Sequence, residues 1–143
     1  METEYTVTGK ILGYKKAMES IAAEACAVKK SEVDSIEFEG FHFNIKPCAA
    51  HSSAISLSAP KSAQSVPEAT LTRLCLHLSK RFDCKVYLCK GAETYGNANV
   101  FNGGSDYEIV SENWFLCVCA NGQEILSETT NHWNPKIDEF ANI

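Results

Sequence analysis

The stretch that most constrains this chain is WFLCVC, Trp114 to Cys119, followed by Ala120, Asn121 and Gly122. Alternation puts Trp114, Leu116 and Val118 on one face of a strand and Phe115, Cys117 and Cys119 on the other. Both faces are apolar, which marks a strand covered on both sides. Asn-Gly favours positive φ at both positions of a two-residue turn, and Gln123–Leu126 supplies the returning strand.

The remaining patterns arrange themselves before and after that hairpin. Residues 4–12 alternate and predict a first strand on Tyr5, Val7 and Ile11, with Gly9 as a candidate bulge. Tyr14, Met18, Ile21, Ala25 and Val28 recur at spacings of four and three and predict a helix. In residues 34–46 the apolar phase flips at Gly40, from Ile36 and Phe38 to Phe41, Phe43 and Ile45. That flip predicts a bulge or tight hairpin at Glu39-Gly40, and Pro47 ends the run. Residues 51–59 read as a half-exposed strand. Ser65-Val66-Pro67-Glu68 matches a capping box ahead of a helix whose buried stripe is Leu71, Leu74, Cys75, Leu78 and Phe82. Lys80 and Arg81 close that helix and complement its dipole.

Residues 84–90 follow as a short apolar strand. Next come a turn at Gly103–Asp106, a strand at Tyr107–Val110, a second turn at Ser111–Asn113, and the opening hairpin. Asn134-Pro135 then breaks the chain before a short helical or irregular piece. The order β-α-β-β-α-β is that of a ferredoxin-like split unit, two helices on one face of an antiparallel sheet. The expectation is therefore a single α+β domain over residues 1–143, a ferredoxin-like two-layer unit extended by a C-terminal β-meander.

A chain of 143 residues favours one compact domain. Apolar residues at 45% and charged residues at 22% suit a globular protein. No apolar run approaches the roughly 20 residues of a membrane span. The start, METEYTVTGK, lacks the basic and apolar regions of a signal peptide. A cytoplasmic protein is the expectation. The seven cysteines then read as buried free thiols in a reducing compartment.

Charge is unevenly distributed. Residues 91–143 carry Lys136 alone against Glu93, Asp106, Glu108, Glu112, Glu124, Glu128, Asp138 and Glu139. A one-signed region attracts a positively charged partner and speeds its arrival. It argues against nucleic acid, which needs clustered Lys and Arg.

The candidate chemistry is thinner. Cys48-x2-His51, Cys84-x4-Cys89 and Cys117-x-Cys119 have spacings near those of zinc ligands. Yet Cys84 and Cys89 point to opposite faces of a strand, and Cys75 and His77 diverge on a helix. Cys117 and Cys119 share a face, but their Cα atoms lie about 6.6 Å apart on an extended strand, which disfavours a disulfide. No metal, cofactor or catalytic residue is expected. The loop Asn102–Asp106 lacks a phosphate-binding lysine and reads as a hairpin turn. Glu37 and Glu39 read as a solvated strand edge.

Tyr and Trp interleaved with acidic residues is the composition of a protein-binding surface. The expected contact set is Asp106, Glu108, Glu112, Trp114, Glu124 and Glu128. The expected function is a non-enzymatic binding protein for a basic partner. Its concrete form is an immunity protein that plugs a toxic nuclease, with neither nucleic acid nor membrane as partner. The alternative is a small enzyme or small-molecule-binding domain that uses Cys48 and His51. Oligomeric state is left open.

Overall fold

A computed structural model describes residues 2–13, 34–49, 52–57, 60–97 and 107–142. Seven strands form one sheet: β1 Glu2–Leu12, β2 Asp34–Phe38, β3 Phe41–Ala49, β4 Ser52–Leu57, β5 Lys85–Asn97, β6 Tyr107–Ala120 and β7 Gln123–Thr130. Three helices accompany them: α1 Pro60–Ser65, α2 Glu68–Arg81 and α3 Pro135–Ala141. The strand order is β2-β3-β4-β1-β5-β6-β7, and every neighbouring pair is antiparallel.

This corrects the ferredoxin-like expectation. The meander does not extend a two-helix unit; it forms half of a sheet-dominated molecule with β1 at its centre. Two local features carry the difference. Ser111–Asn113 is not a turn, because these residues pair with Thr94, Glu93 and Ala92 along the full length of β5. Among the described residues the helices are also too short to make a second layer of matching extent, at six, fourteen and seven residues. Turn propensity at Ser-Glu-Asn is overridden by an unbroken ladder on each side. The helix expected over Tyr14–Val28 lies outside the described residues.

The hairpins follow their turn chemistry. Asn121 and Gly122 have φ of 52° and 79°, and Glu39 and Gly40 have 51° and 84°, as two-residue turns of this hand require. Gly9 makes no bulge: β1 pairs regularly on both sides. It allows close approach instead, since a Cβ there would overlap Tyr87 O and sit 2.6 Å from Leu88 Cδ2. Nor does Pro47 end β3. The strand continues to Ala49 through a register shift that leaves Cys48 unpaired.

One face of the sheet packs on α1 and α2. Val7, Ile11, Phe43, Ile55, Val86, Leu88, Phe115, Cys117 and Cys119 meet Ala63, Val66, Leu71, Leu74, Cys75 and Leu78 there. The expected stripe of α2 is thus buried, with Phe82 partly so. The capping box is not formed. Ser65 belongs to α1 and donates to Ser62 O, while the α2 cap is Pro67, which has no side-chain cap bond. Lys90 Nζ reaches from β5 to Val66 O at 2.6 Å and Gln64 O at 3.3 Å, placing a cation at the end of α1.

The opposite face carries a second apolar cluster: Tyr87, Cys89, Trp114, Leu116 and Val118 under Ile137 of α3, with Leu126 and Phe140. β6 is therefore covered on both sides, by α2 and by α3. Asn134 caps α3 by accepting from Lys136 N at 3.0 Å. Glu128 of β7 fastens α3 to the sheet, accepting from Asn134 Nδ2 and Lys136 Nζ, each at 2.8 Å. Among the described residues no helix is long and apolar enough to cross a membrane.

Candidate functional site

Two arrangements stand out from ordinary packing. The first lies on the opposite face, at the end of the sheet away from the Asn121-Gly122 turn. Glu4 pairs with Glu93, and Glu93 pairs with Glu112, on adjacent strands β1, β5 and β6. Residues directly opposite share a face, so three carboxylates form one row. Among the described residues no ion pair neutralises any of them. Like charges directly opposite are destabilising. Packing alone gives no reason for the row.

Aromatic side chains hold two of these carboxylates in place. Tyr95 OH donates to Glu93 Oε2 at 2.7 Å, and Trp114 Nε1 donates to Glu112 Oε1 at 3.1 Å. The Tyr95 phenol is pushed up to about 12, first by its hydrogen bond to Glu93, with the charges of Glu93, Glu4 and Glu112 adding to it. Trp114 itself is buried and meets Trp133 edge-on, with ring centroids 4.5 Å apart. Trp133 is 42% exposed and donates to Asp138 Oδ2 at 2.9 Å.

An apolar rim adjoins the row. Ile109 and Val110 are 45% and 49% exposed. With Ser111, Glu112, Asn131 and His132 they line an open groove of about 470 Å³. The bulge at Val110 puts it there: Tyr95 pairs with Ile109 and Thr94 with Ser111, leaving Val110 as the extra residue. Bulges re-aim side chains at sheet ends, and this one turns two aliphatic residues to solvent.

The structure divides the sequence-derived contact set between two faces. Glu112, Trp114 and Glu128 lie on the opposite face; Glu128 pairs with Leu116 and is engaged by α3. Glu124 pairs with Cys119, on the face that carries α2. Glu108 pairs with Gly96 across the bulge, which shifts it to that same face. Asp106 lies outside the described residues. Sequence reasoning missed Glu4, Glu93 and Tyr95. They sit on other strands, and only the register of β1 on β5 and β5 on β6 brings them to Glu112.

The second arrangement is buried. Cys75 of α2 meets Cys117 and Cys119 of β6, all three fully buried, with sulfur atoms within 4.8 Å of one another. Cys117 Sγ and Cys119 Sγ are 3.8 Å apart. Cys75 Sγ donates to Val86 O at 3.3 Å and Cys117 O at 3.6 Å. The Cys117 thiol is pulled down chiefly by its contact with Cys119, with burial opposing. Cys75 is pushed up by its bonds to Cys117 and Cys119, and Cys119 is pushed up to about 12 by its bond to Cys117.

The other thiols are dispersed. Cys84 and Cys89 belong to the clusters on opposite faces, as their spacing implied. Cys48 is exposed, with its Sγ 3.3 Å from Ser52 Oγ; its expected companion His51 lies outside the described residues. Glu39 does not stand free on a strand edge. It sits in the β2–β3 turn, where both its oxygens accept from Arg73, at 2.6 and 3.0 Å.

No family model, curated protein or solved structure matches this chain.

Proposed function

We propose that this protein is a non-enzymatic binding protein whose opposite sheet face docks a basic protein. The observation that supports the reading is the Glu4–Glu93–Glu112 row, three uncompensated carboxylates set directly opposite one another. A cationic partner removes the mutual repulsion that the free protein carries, so binding gains what folding loses. Ile109, Val110 and Trp133 beside the row offer the apolar contacts that charge alone does not supply. An inhibitor of a toxic nuclease is the concrete form of this reading. A nuclease cleft is basic because it holds phosphates, and an acidic face is drawn into it quickly.

The test uses the protein encoded beside this chain in its host genome, assayed for nuclease activity and for association by stopped flow. The triple variant Glu4→Lys, Glu93→Lys, Glu112→Lys is expected to slow association about 10-fold or more at low salt. Glu124→Lys, on the other face, leaves the rate unchanged. Neutral Glu93→Gln weakens binding while holding or raising stability. Association that is indifferent both to the triple variant and to ionic strength refutes the proposal.

A further inference from the structure

Cys75 of α2 converges on Cys117 and Cys119 of β6 from some forty residues away in the chain, and packing does not require thiols there. Leu71, Leu74, Leu78, Val86 and Phe115 belong to the same core cluster, and Thr72 brings a hydroxyl to Cys117; an alanine or valine would serve most of the same space. We propose that Cys75, Cys117 and Cys119 form a three-coordinate thiolate site for a soft metal ion, with Cu(I) as the ion that fits it.

The distances carry the argument first. Metal–thiolate bonds of about 2.3 Å place the three sulfurs of a trigonal-planar centre about 4.0 Å apart. Cys117 and Cys119 already stand 3.8 Å apart, and the whole trio lies within 4.8 Å. The centre closes with a shift of Cys75 smaller than one bond length. Two ligands come from one face of β6 and the third from the buried stripe of α2, so the scaffold that aims them is the best-packed part of the molecule.

Ligand chemistry then selects the ion. Thiolates favour Cu(I), zinc and iron–sulfur clusters. Zinc takes a fourth ligand in structural sites, and among the described residues the cluster offers three Cys ligands and no fourth Cys, His, Asp or Glu. Cu(I) is stable with three sulfurs. Forming the three-thiolate centre releases three protons to solvent and leaves it a net charge of −2, so copper affinity rises with pH.

The test begins with the variant Cys26→Ser, Cys48→Ser, which removes two thiols outside the trio. It is titrated with Cu(I) without oxygen, against a chromophoric Cu(I) chelator, and the copper-loaded protein is read by X-ray absorption. The expected result is one Cu(I) per chain with three sulfur neighbours. Cys75→Ser and Cys117→Ser each weaken binding by more than about 100-fold, beyond the loss seen for outer-shell changes. Cys89→Ser, on the other side of the sheet, leaves the affinity unchanged. Cys75→Ala and Cys119→Ala replace the serine variants if a buried hydroxyl prevents folding. The absorption measurement decides with the trio intact. Failure to compete with the chelator, two sulfurs or a nitrogen or oxygen neighbour at copper, or equal affinity for zinc overturns the proposal.

Discussion

Replacing Gly91 by alanine sets a methyl group 2.6 Å from Trp114 Cε3 and 2.7 Å from Cη2, with Cζ3 closer still. Gly91 and Trp114 are register partners on β5 and β6, and the indole lies across the glycine. The alanine variant has two outcomes. If the ring stays, it is overpacked, at a cost of about 1–3 kcal/mol. If it swings away, it forfeits its edge contact with Trp133 and its hydrogen bond to Glu112, together about 2–4 kcal/mol. The stiffer unfolded chain offsets about 0.4–1 kcal/mol of either. The net loss is about 1 kcal/mol if the ring stays and about 2 kcal/mol if it swings away. Urea unfolding followed by tryptophan fluorescence reads it as a lower midpoint at unchanged slope. Repeating the substitution on a Trp114→Leu background isolates the cause, and a coupling of about 1 kcal/mol or more is expected. A variant within about 0.5 kcal/mol of wild type refutes the reasoning. So does the same cost on both backgrounds, since the ring would then not be what requires the glycine.

Two further expectations concern how the terminal elements are fastened. Ser79→Ala removes the buried hydroxyl that accepts from Gly122 N at 2.9 Å and donates to Leu76 O at 3.0 Å; it costs about 1–3 kcal/mol. The Gly122 amide then exchanges its hydrogen faster, and unchanged exchange would show that the β6–β7 turn does not rest on α2. The second concerns pH. Lys136 and then Asn134 hold the Glu128 carboxyl below its ordinary value of 4.5. A carboxyl lowered by folding contributes fully above its ordinary value and loses that contribution as pH falls through the lower folded one. The stability gap between wild type and Glu128→Gln is therefore open at neutral pH and closes in acid; a gap independent of pH refutes the α3 clamp.

Local chemistry was readable wherever a few residues decide the outcome. The two hairpin turns, the face assignment of Trp114–Cys119 and the buried stripe of α2 all follow from period and turn type within one segment. What could not be read was which segments lie side by side. The order of elements along the chain fits several strand orders, and nothing local to β1 says that it sits between β4 and β5. The apparent turn at Ser111–Asn113 came from residue preference alone, and the long ladder with β5 reversed it. The same gap hid both candidate sites. Glu4, Glu93 and Glu112 are unremarkable one at a time, and only register makes them a row. Cys75 was visible on the α2 stripe and Cys117 and Cys119 on the helix-facing side of β6. Joining those two readings would have found the trio.

Natural sequences agree with their folds at every level except where function intervenes. Most of this chain obeys that rule: its buried faces are apolar, and among the described residues no buried side-chain polar atom lacks a partner. Two places break it, in opposite ways. The carboxylate row sets like charges across three strands where alternating signs would stabilise the sheet. The thiol trio puts three oxidisable groups where three aliphatic ones would pack as well. On the two proposals made above, each deviation would become favourable once an outside charge arrives, a basic protein for the first and a soft cation for the second. The two share β6, with Cys117 and Cys119 on one face of it and Glu112 and Trp114 on the other. A metal that draws Cys75 toward β6 acts on the strand that carries Glu112. Copper loading and partner association can therefore be measured on one protein, and a change in either on adding the other would reveal coupling through that strand.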